Sequence, residues 1–167
     1  MMRLLIILLI STSTLKAVNY VEIRTLFAAS PNSETTANSL LEKTKNSGSS
    51  SPVELGYHGG ALMAMANHCY LPTSKLSYFN SGKKELEKAI AASPKNAELR
   101  FIRFSIQCNV PAFLGYSSNI AADKTILINY LKSAQSASDA DLKARIKNFL
   151  LQSTQCTETE KNSIRKL

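Results

Sequence analysis

The chain has 167 residues, of which 44% are hydrophobic and 19% are charged, and its formal net charge is +8. This length predicts a single domain of ordinary size. The 20 Lys and Arg residues are dispersed among 12 acidic residues and Trp is absent, so the basic stripe typical of nucleic-acid-binding proteins is missing. We therefore expect no nucleic-acid partner, and a solvated surface with a weak preference for acidic partners or anionic surfaces.

Residues 1–17 have the pattern of a secretory signal peptide. Arg3 supplies a positive start, residues 4–10 are apolar, and residues 15–17 offer a cleavage site after a polar stretch. The apolar run is too short to span a bilayer. The sequence predicts an exported protein, periplasmic or extracellular, in which residues 18–167 form one mature domain without a membrane span. An uncleaved N-terminal anchor is the alternative.

The mature chain begins with two short predicted helices, at 20–30 and 34–45. Pro31 ends the first because it lacks an N–H and cannot continue a helix. Ser33 is a typical cap for the second. These two helices are expected to form an initial hairpin.

A third predicted helix runs from Ser51 to about residue 69. Ser51, Pro52 and Glu54 are a strong start signal. The helix is rich in small residues, which disfavour an isolated helix, so we expect a neighbouring helix to cross closely over that face. The small residues are Gly56, Gly59, Gly60, Ala61, Ala64 and Ala66.

Residues 81–107 have the pattern of a helix, a proline turn and a second helix. We place the first helix at 73–92, where apolar residues recur at helical spacing. Pro94 marks the turn, and Asn96 is positioned to cap the next helix. A short connection between two helices predicts an antiparallel pair.

This stretch resembles a tetratricopeptide repeat. Gly82, Leu86, Ala89 and Pro94 match the small, large, small and proline positions of that repeat's second helix. Phe104 stands where the repeat has a small residue, so we expect an irregular stack. The wider run 57–124 is similar to small uncharacterised secreted helical proteins of Bacteroidetes-type bacteria, and that resemblance implies no assigned activity.

The segment 109–119 is the most unusual connection. Its Pro, Gly and Ser residues argue against regular structure, yet it contains several large apolar side chains. Such a loop either folds back onto the core or lines a site. Helices are predicted at 120–134, after a capping signal at 138–141, and after a capping box at 157–160. The total is about eight helices and no strand.

The best candidate for a binding surface lies on the helix after Asn96. Arg100, Arg103 and Gln107 share one helical face by their spacing, and with Phe113 and Tyr116 from the loop they predict a surface for the carboxylate of a peptide or protein partner. The alternative is structural: an arginine that pairs inside the bundle with Glu98, Asp123 or Glu54.

Other chemistry is weakly represented. Of the three cysteines, Cys69 and Cys108 are the candidate disulfide in an oxidising compartment, with free buried thiols as the alternative. His68, Cys69 and Cys108 are considered as a partial metal site, although metal-ligand spacing is lacking. The sequence contains no hydrolase, zinc-protease or nucleotide-binding motif.

These patterns predict an all-α, tetratricopeptide-like stack of helical hairpins that acts as an exported, non-enzymatic scaffold or adaptor for a protein or peptide. No catalytic residue, metal or cofactor is expected. The first alternative is a structural subunit of a cell-envelope complex. The second is a small metal- or thiol-dependent protein centred on Cys69, His68 and Cys108.

Overall fold

The computed structural model describes residues 18–45, 51–133 and 139–167, and the predicted signal peptide lies outside these ranges. The described residues form eight α-helices and no strand, which confirms the predicted all-α class. The helices are α1 (Tyr20–Ala29), α2 (Glu34–Thr44), α3 (Pro52–His68), α4 (Pro72–Ala92), α5 (Ala97–Gln107), α6 (Ile120–Lys132), α7 (Ala140–Gln152) and α8 (Glu158–Arg165). Two single 3₁₀ turns, Ser30–Asn32 and Ala112–Leu114, interrupt the connections.

The helices begin where local side chains satisfy their first backbone N–H groups. Ser33, Ser51 and Asn96 each accept a hydrogen bond from a backbone N–H of the first turn. Thr157 forms the predicted capping box with Glu160. In the predicted box at 138–141, Ser138 lies outside the described residues, and Asp139 precedes α7 without a side-chain capping bond.

Each helix packs on the next one along the chain, and a second set of contacts joins α1 to α3, α3 to α5 and α5 to α7. The odd-numbered helices therefore form a continuous row. This is the arrangement expected of stacked helical hairpins, in which one helix of every pair lines a shared face. Among the described residues, none of the helices is both long enough and apolar enough to cross a bilayer.

Two large hydrophobic clusters form most of the core, and α5 contributes to both; a small third cluster of the described residues joins Ala37, Ala64 and Met65. The N-terminal cluster includes Tyr57, Leu86 and Leu99, all fully buried. The C-terminal cluster includes Phe104 of α5 together with Ile146 of α7. Helix α5 is consequently the element that joins the two halves of the stack.

The small residues of α3 allow α4 to cross it closely, as the sequence predicts. A Cβ atom added at Gly59 would lie 2.7 Å from the carbonyl oxygen of Gly82. A Cβ atom added at Gly82 would lie 2.4 Å from the carbonyl oxygen of Gly59. The two helix backbones touch at this point, and neither position has room for a side chain.

Candidate binding groove

A groove of about 990 Å³ runs along the row of odd-numbered helices. It is lined by residues of α1, α3, α5 and α7, with the start of α4 and the segment after α5 completing the wall. Its surface is mainly apolar. The large apolar side chains that line it are Phe27, Met63, Leu76, Phe79, Phe101, Ile106, Val110, Phe113, Leu114 and Phe149.

A buried polar network holds the row of helices together beside this groove. Arg24 of α1 forms two hydrogen bonds to the carboxylate of Glu98 on α5, at 2.7 and 2.9 Å. Tyr57 of α3 donates to the same carboxylate at 2.7 Å. Arg24 also donates to Asp141 of α7 at 3.1 Å. One carboxylate and one guanidinium therefore tie together all four odd-numbered helices.

The electrostatics of the network follow from burial. Desolvation, together with the neighbouring Glu98 carboxylate, raises the pKa of Tyr57 well above its usual value. The hydrogen bonds to Glu98 raise the pKa of Arg24 in turn. At neutral pH the Tyr57 phenol therefore stays protonated and donates, and the Arg24 guanidinium stays charged.

The rim of the groove is polar, and most of its side-chain amides have no hydrogen-bond partner among the described residues. Asn32, Asn67, Asn148 and Gln152 line it, are exposed, and make no side-chain hydrogen bond to another described residue. Each of these amides offers both a donor and an acceptor. An apolar wall bordered by free amides can hold apolar side chains while it hydrogen-bonds a peptide backbone.

The arginines of the predicted binding face form their hydrogen bonds with other residues of the same chain. Arg103 is 3% exposed and forms a bidentate pair with Asp123 of α6, at 2.7 and 2.8 Å. Arg100 donates to the same carboxylate at 3.1 Å and to the carbonyl oxygen of Pro94. These are the contacts of the bracing alternative. Partner binding by these arginines stays a prediction that the contacts do not favour.

The other three residues of the predicted surface lie in different environments. Tyr116 is buried, donates to Glu87 at 2.6 Å and packs edge-on against Phe79. Gln107 is buried, and its Oε1 has no hydrogen-bond partner among the described residues. Phe113 is 86% exposed and lines the groove. Of the five residues, Phe113 is therefore the one placed at the groove.

The cysteines do not form the predicted Cys69–Cys108 bridge in this structure, because all three are free thiols. Cys108 packs in the C-terminal cluster with Cys156, where Ser153 hydrogen-bonds it. Burial raises the pKa of both thiols. Cys69 follows the end of α3 and takes no part in that cluster.

The histidines are used in helix packing. His68 lies with its Nε2 atom 2.8 Å from the carbonyl oxygen of Ser30, and His58 pairs with Glu85 of α4. In the part of the chain that the structure describes, no group of three His, Cys, Asp or Glu side chains is placed to hold a metal ion. The structure thus does not bring His68, Cys69 and Cys108 together as a metal centre.

Comparison with known proteins gives the chain no relative: no protein-family model matches it, and neither a curated protein nor a solved structure is significantly similar to it. The resemblance to tetratricopeptide repeats stays a prediction from the residues.

Sequence reasoning missed the groove and its polar network. Arg24 and Glu98 are 74 positions apart, so no local spacing connects them. The available signal was Arg24 within the apolar pattern of α1, next to the buried Ile23. The sequence offers Glu98 as one possible internal partner for an arginine of α5, whereas in the structure it is a buried acceptor for Arg24 of α1 and Tyr57 of α3.

Proposed function

We propose that this chain is a non-enzymatic binding protein that holds an extended segment of a peptide or protein in the groove of α1, α3, α5 and α7. The observation that supports the proposal most is the combination of a mainly apolar groove of about 990 Å³ with a rim of free amides. Cavities of this size and lining are typical of ligand sites. As the sequence predicts, we take the protein to be exported, acting in the periplasm or outside the cell.

The amides favour a peptide over a hydrocarbon ligand. A lipid chain would bury the apolar wall but would leave the rim amides without hydrogen-bonding partners in the ligand. A peptide backbone offers carbonyl acceptors and N–H donors at regular intervals, which Asn and Gln side chains match. The apolar pockets between the helices then take alternate side chains of the bound segment, in the manner of groove-binding helical stacks.

The proposal is tested with an array of short synthetic peptides that vary in apolar, acidic and basic content. The purified chain should bind the apolar members. Phe113→Ser should weaken that binding by about tenfold, since full burial of a Phe side chain contributes about 1.5–3 kcal/mol. Phe113 is largely exposed in the free protein, so its replacement should leave the fold intact.

Leu167→Ser is the matched control. Leu167 is also an exposed large apolar residue, but it lies beyond α8 and does not line the groove. It should leave binding unchanged. If Phe113→Ser and Leu167→Ser bind every peptide as tightly as the unmodified chain does, the groove is not the binding site.

One observation favours the alternative, a structural subunit of an envelope complex. Tyr70 and Leu71, in the turn between α3 and α4, are 97% and 59% exposed, and Leu76 nearby is 50% exposed. A permanent partner would cover such a patch. In that case a Tyr70→Ser/Leu71→Ser variant should lose the partner during purification of the native complex, while Phe113→Ser keeps it.

A further inference from the structure

The charged residues that line the groove are all cationic. Arg24, Lys75 and Arg145 contribute to the wall, and no Asp or Glu of the described residues lines it. The positive charges of Arg24 and Arg145 are compensated by neighbouring carboxylates. Arg24 pairs with Glu98, and Arg24 and Arg145 both pair with Asp141. The two arginines and two carboxylates therefore cancel in net charge.

Lys75 is different from the two arginines. It lies in the first turns of α4, is exposed, and its ammonium group has no acidic partner or hydrogen bond among the described residues. A lysine ammonium carries three donors and no acceptor. The groove consequently presents one uncompensated positive charge, at the position of Lys75.

Arg145 adds spare donors on α7. Its Nε atom donates to the Asp141 carboxylate at 3.0 Å and its Nη2 atom to the Thr25 hydroxyl at 2.9 Å. A guanidinium has five N–H donors, so the Nη1 group is left for an acceptor outside the described chain. Two helices of the groove thus offer cationic donors to whatever occupies it.

We propose that the occupant is an apolar segment with an acidic side chain, whose carboxylate is recognised by Lys75. This inference deepens the proposed function and rests on it. The charge of the chain supports the choice of partner. The formal net charge is +8 for the whole sequence and +6 without Arg3 and Lys16 of the predicted signal peptide, so a second copy of the same chain is repelled, whereas an acidic segment is attracted.

The test uses two fluorescein-labelled synthetic peptides of leucine and phenylalanine that differ in one central residue, glutamate in one and glutamine in the other. Fluorescence anisotropy measures their binding to the full chain, to Lys75→Gln and to Lys84→Gln. Lys84 is an exposed lysine nine positions along the same helix, away from the groove, and serves as the matched control. Sodium oleate is tested as a competing anionic amphiphile.

We expect the glutamate peptide to bind the unmodified chain about threefold more tightly than the glutamine peptide, the gain typical of an exposed ion pair. Lys75→Gln should abolish this difference and Lys84→Gln should keep it. Added salt should reduce it, because exposed charges are screened.

Four results would overturn the inference. If both peptides bind equally, or if Lys75→Gln keeps the preference, the groove binds peptides but Lys75 does not select acidic ones. If neither peptide binds, the proposed function fails with the inference. If oleate binds with a dependence on Lys75 and the peptides do not, the occupant is an anionic amphiphile.

Discussion

Replacing Gly82 by alanine should destabilise the fold, because this substitution places one methyl group between two helix backbones. The added Cβ atom would lie 2.4 Å from the carbonyl oxygen of Gly59 and 2.9 Å from the backbone nitrogen of Met63. Ordinary contacts of a Cβ atom begin at 3.4 Å. Helices α3 and α4 must therefore separate by the difference between 3.4 and 2.4 Å, about 1 Å, along their closest contact.

Two effects of opposite sign set the magnitude. Overpacking of a well-packed interface costs about 1–3 kcal/mol. Alanine is the better helix former by about 0.8–1.0 kcal/mol, which offsets part of this cost. Because the added methyl group meets backbone atoms that cannot move aside, the overpacking cost lies in the upper part of that range, about 2–3 kcal/mol, and we expect Gly82→Ala to lower the free energy of unfolding by about 1–2 kcal/mol. In a chain of this length that corresponds to a Tm lower by about 2–8 °C.

Gly60→Ala is the matched control on α3, at a position that faces α1 instead of α4. Its added Cβ atom would meet the ring of Phe27 at 2.8 Å, and a half-buried side chain can move aside where a backbone cannot. Urea denaturation followed by circular dichroism should show a near-neutral change for Gly60→Ala and a clear loss for Gly82→Ala. If Gly82→Ala were as stable as the unmodified protein, the close crossing of α3 and α4 would be wrong.

Three further predictions concern the buried polar groups. Glu98→Gln should lower the free energy of unfolding by about 3 kcal/mol, the lower end of the cost of breaking a buried pair, because the buried Arg24 loses Glu98 and keeps only the half-buried Asp141; an unchanged urea midpoint would contradict the network. Burial raises the pKa of Tyr57 and desolvation and Glu87 raise that of Tyr116, so their stabilising effect should be complete below about pH 10 and lost as pH rises further. An ultraviolet titration in which every tyrosine ionises near pH 10 while the fold persists would refute this. Iodoacetamide should modify Cys69 before Cys156, which is buried and has a raised pKa; mass spectrometry of the labelled peptides that shows the reverse order would contradict the packing of α7 and α8.

Helix existence could be predicted from the sequence because its signals are local. Ser33, Ser51 and Thr157 cap the helices that their positions indicate. The small residues of α3 likewise indicated a close helix crossing, and the contact of Gly59 with Gly82 is that crossing. Periodicity, caps and residue size act within a few turns, so a single sequence contains them.

The site was harder to predict because it depends on contacts that are distant along the chain. The spacing of Arg100 and Arg103 placed them on one face correctly, but polarity alone did not show that this face meets α6. Asp123 approaches that face from the next helix and pairs with both arginines. The face of α5 that lines the groove carries Phe101 and Ser105 instead. This face forms part of a groove only because α1, α3 and α7 pack beside α5, and no local pattern of the sequence shows that packing.

Methyl NMR of the methionines tests the groove most directly. Met63 lines the groove, whereas Met65, on the same helix, packs against Ala37 of α2 and does not line it. On addition of the glutamate peptide, the isotope-labelled methyl resonance of Met63 should shift until the binding site is saturated, while that of Met65 should not move. A bound peptide that shifts Met65 and leaves Met63 unchanged would contradict the assignment of the groove as the binding site.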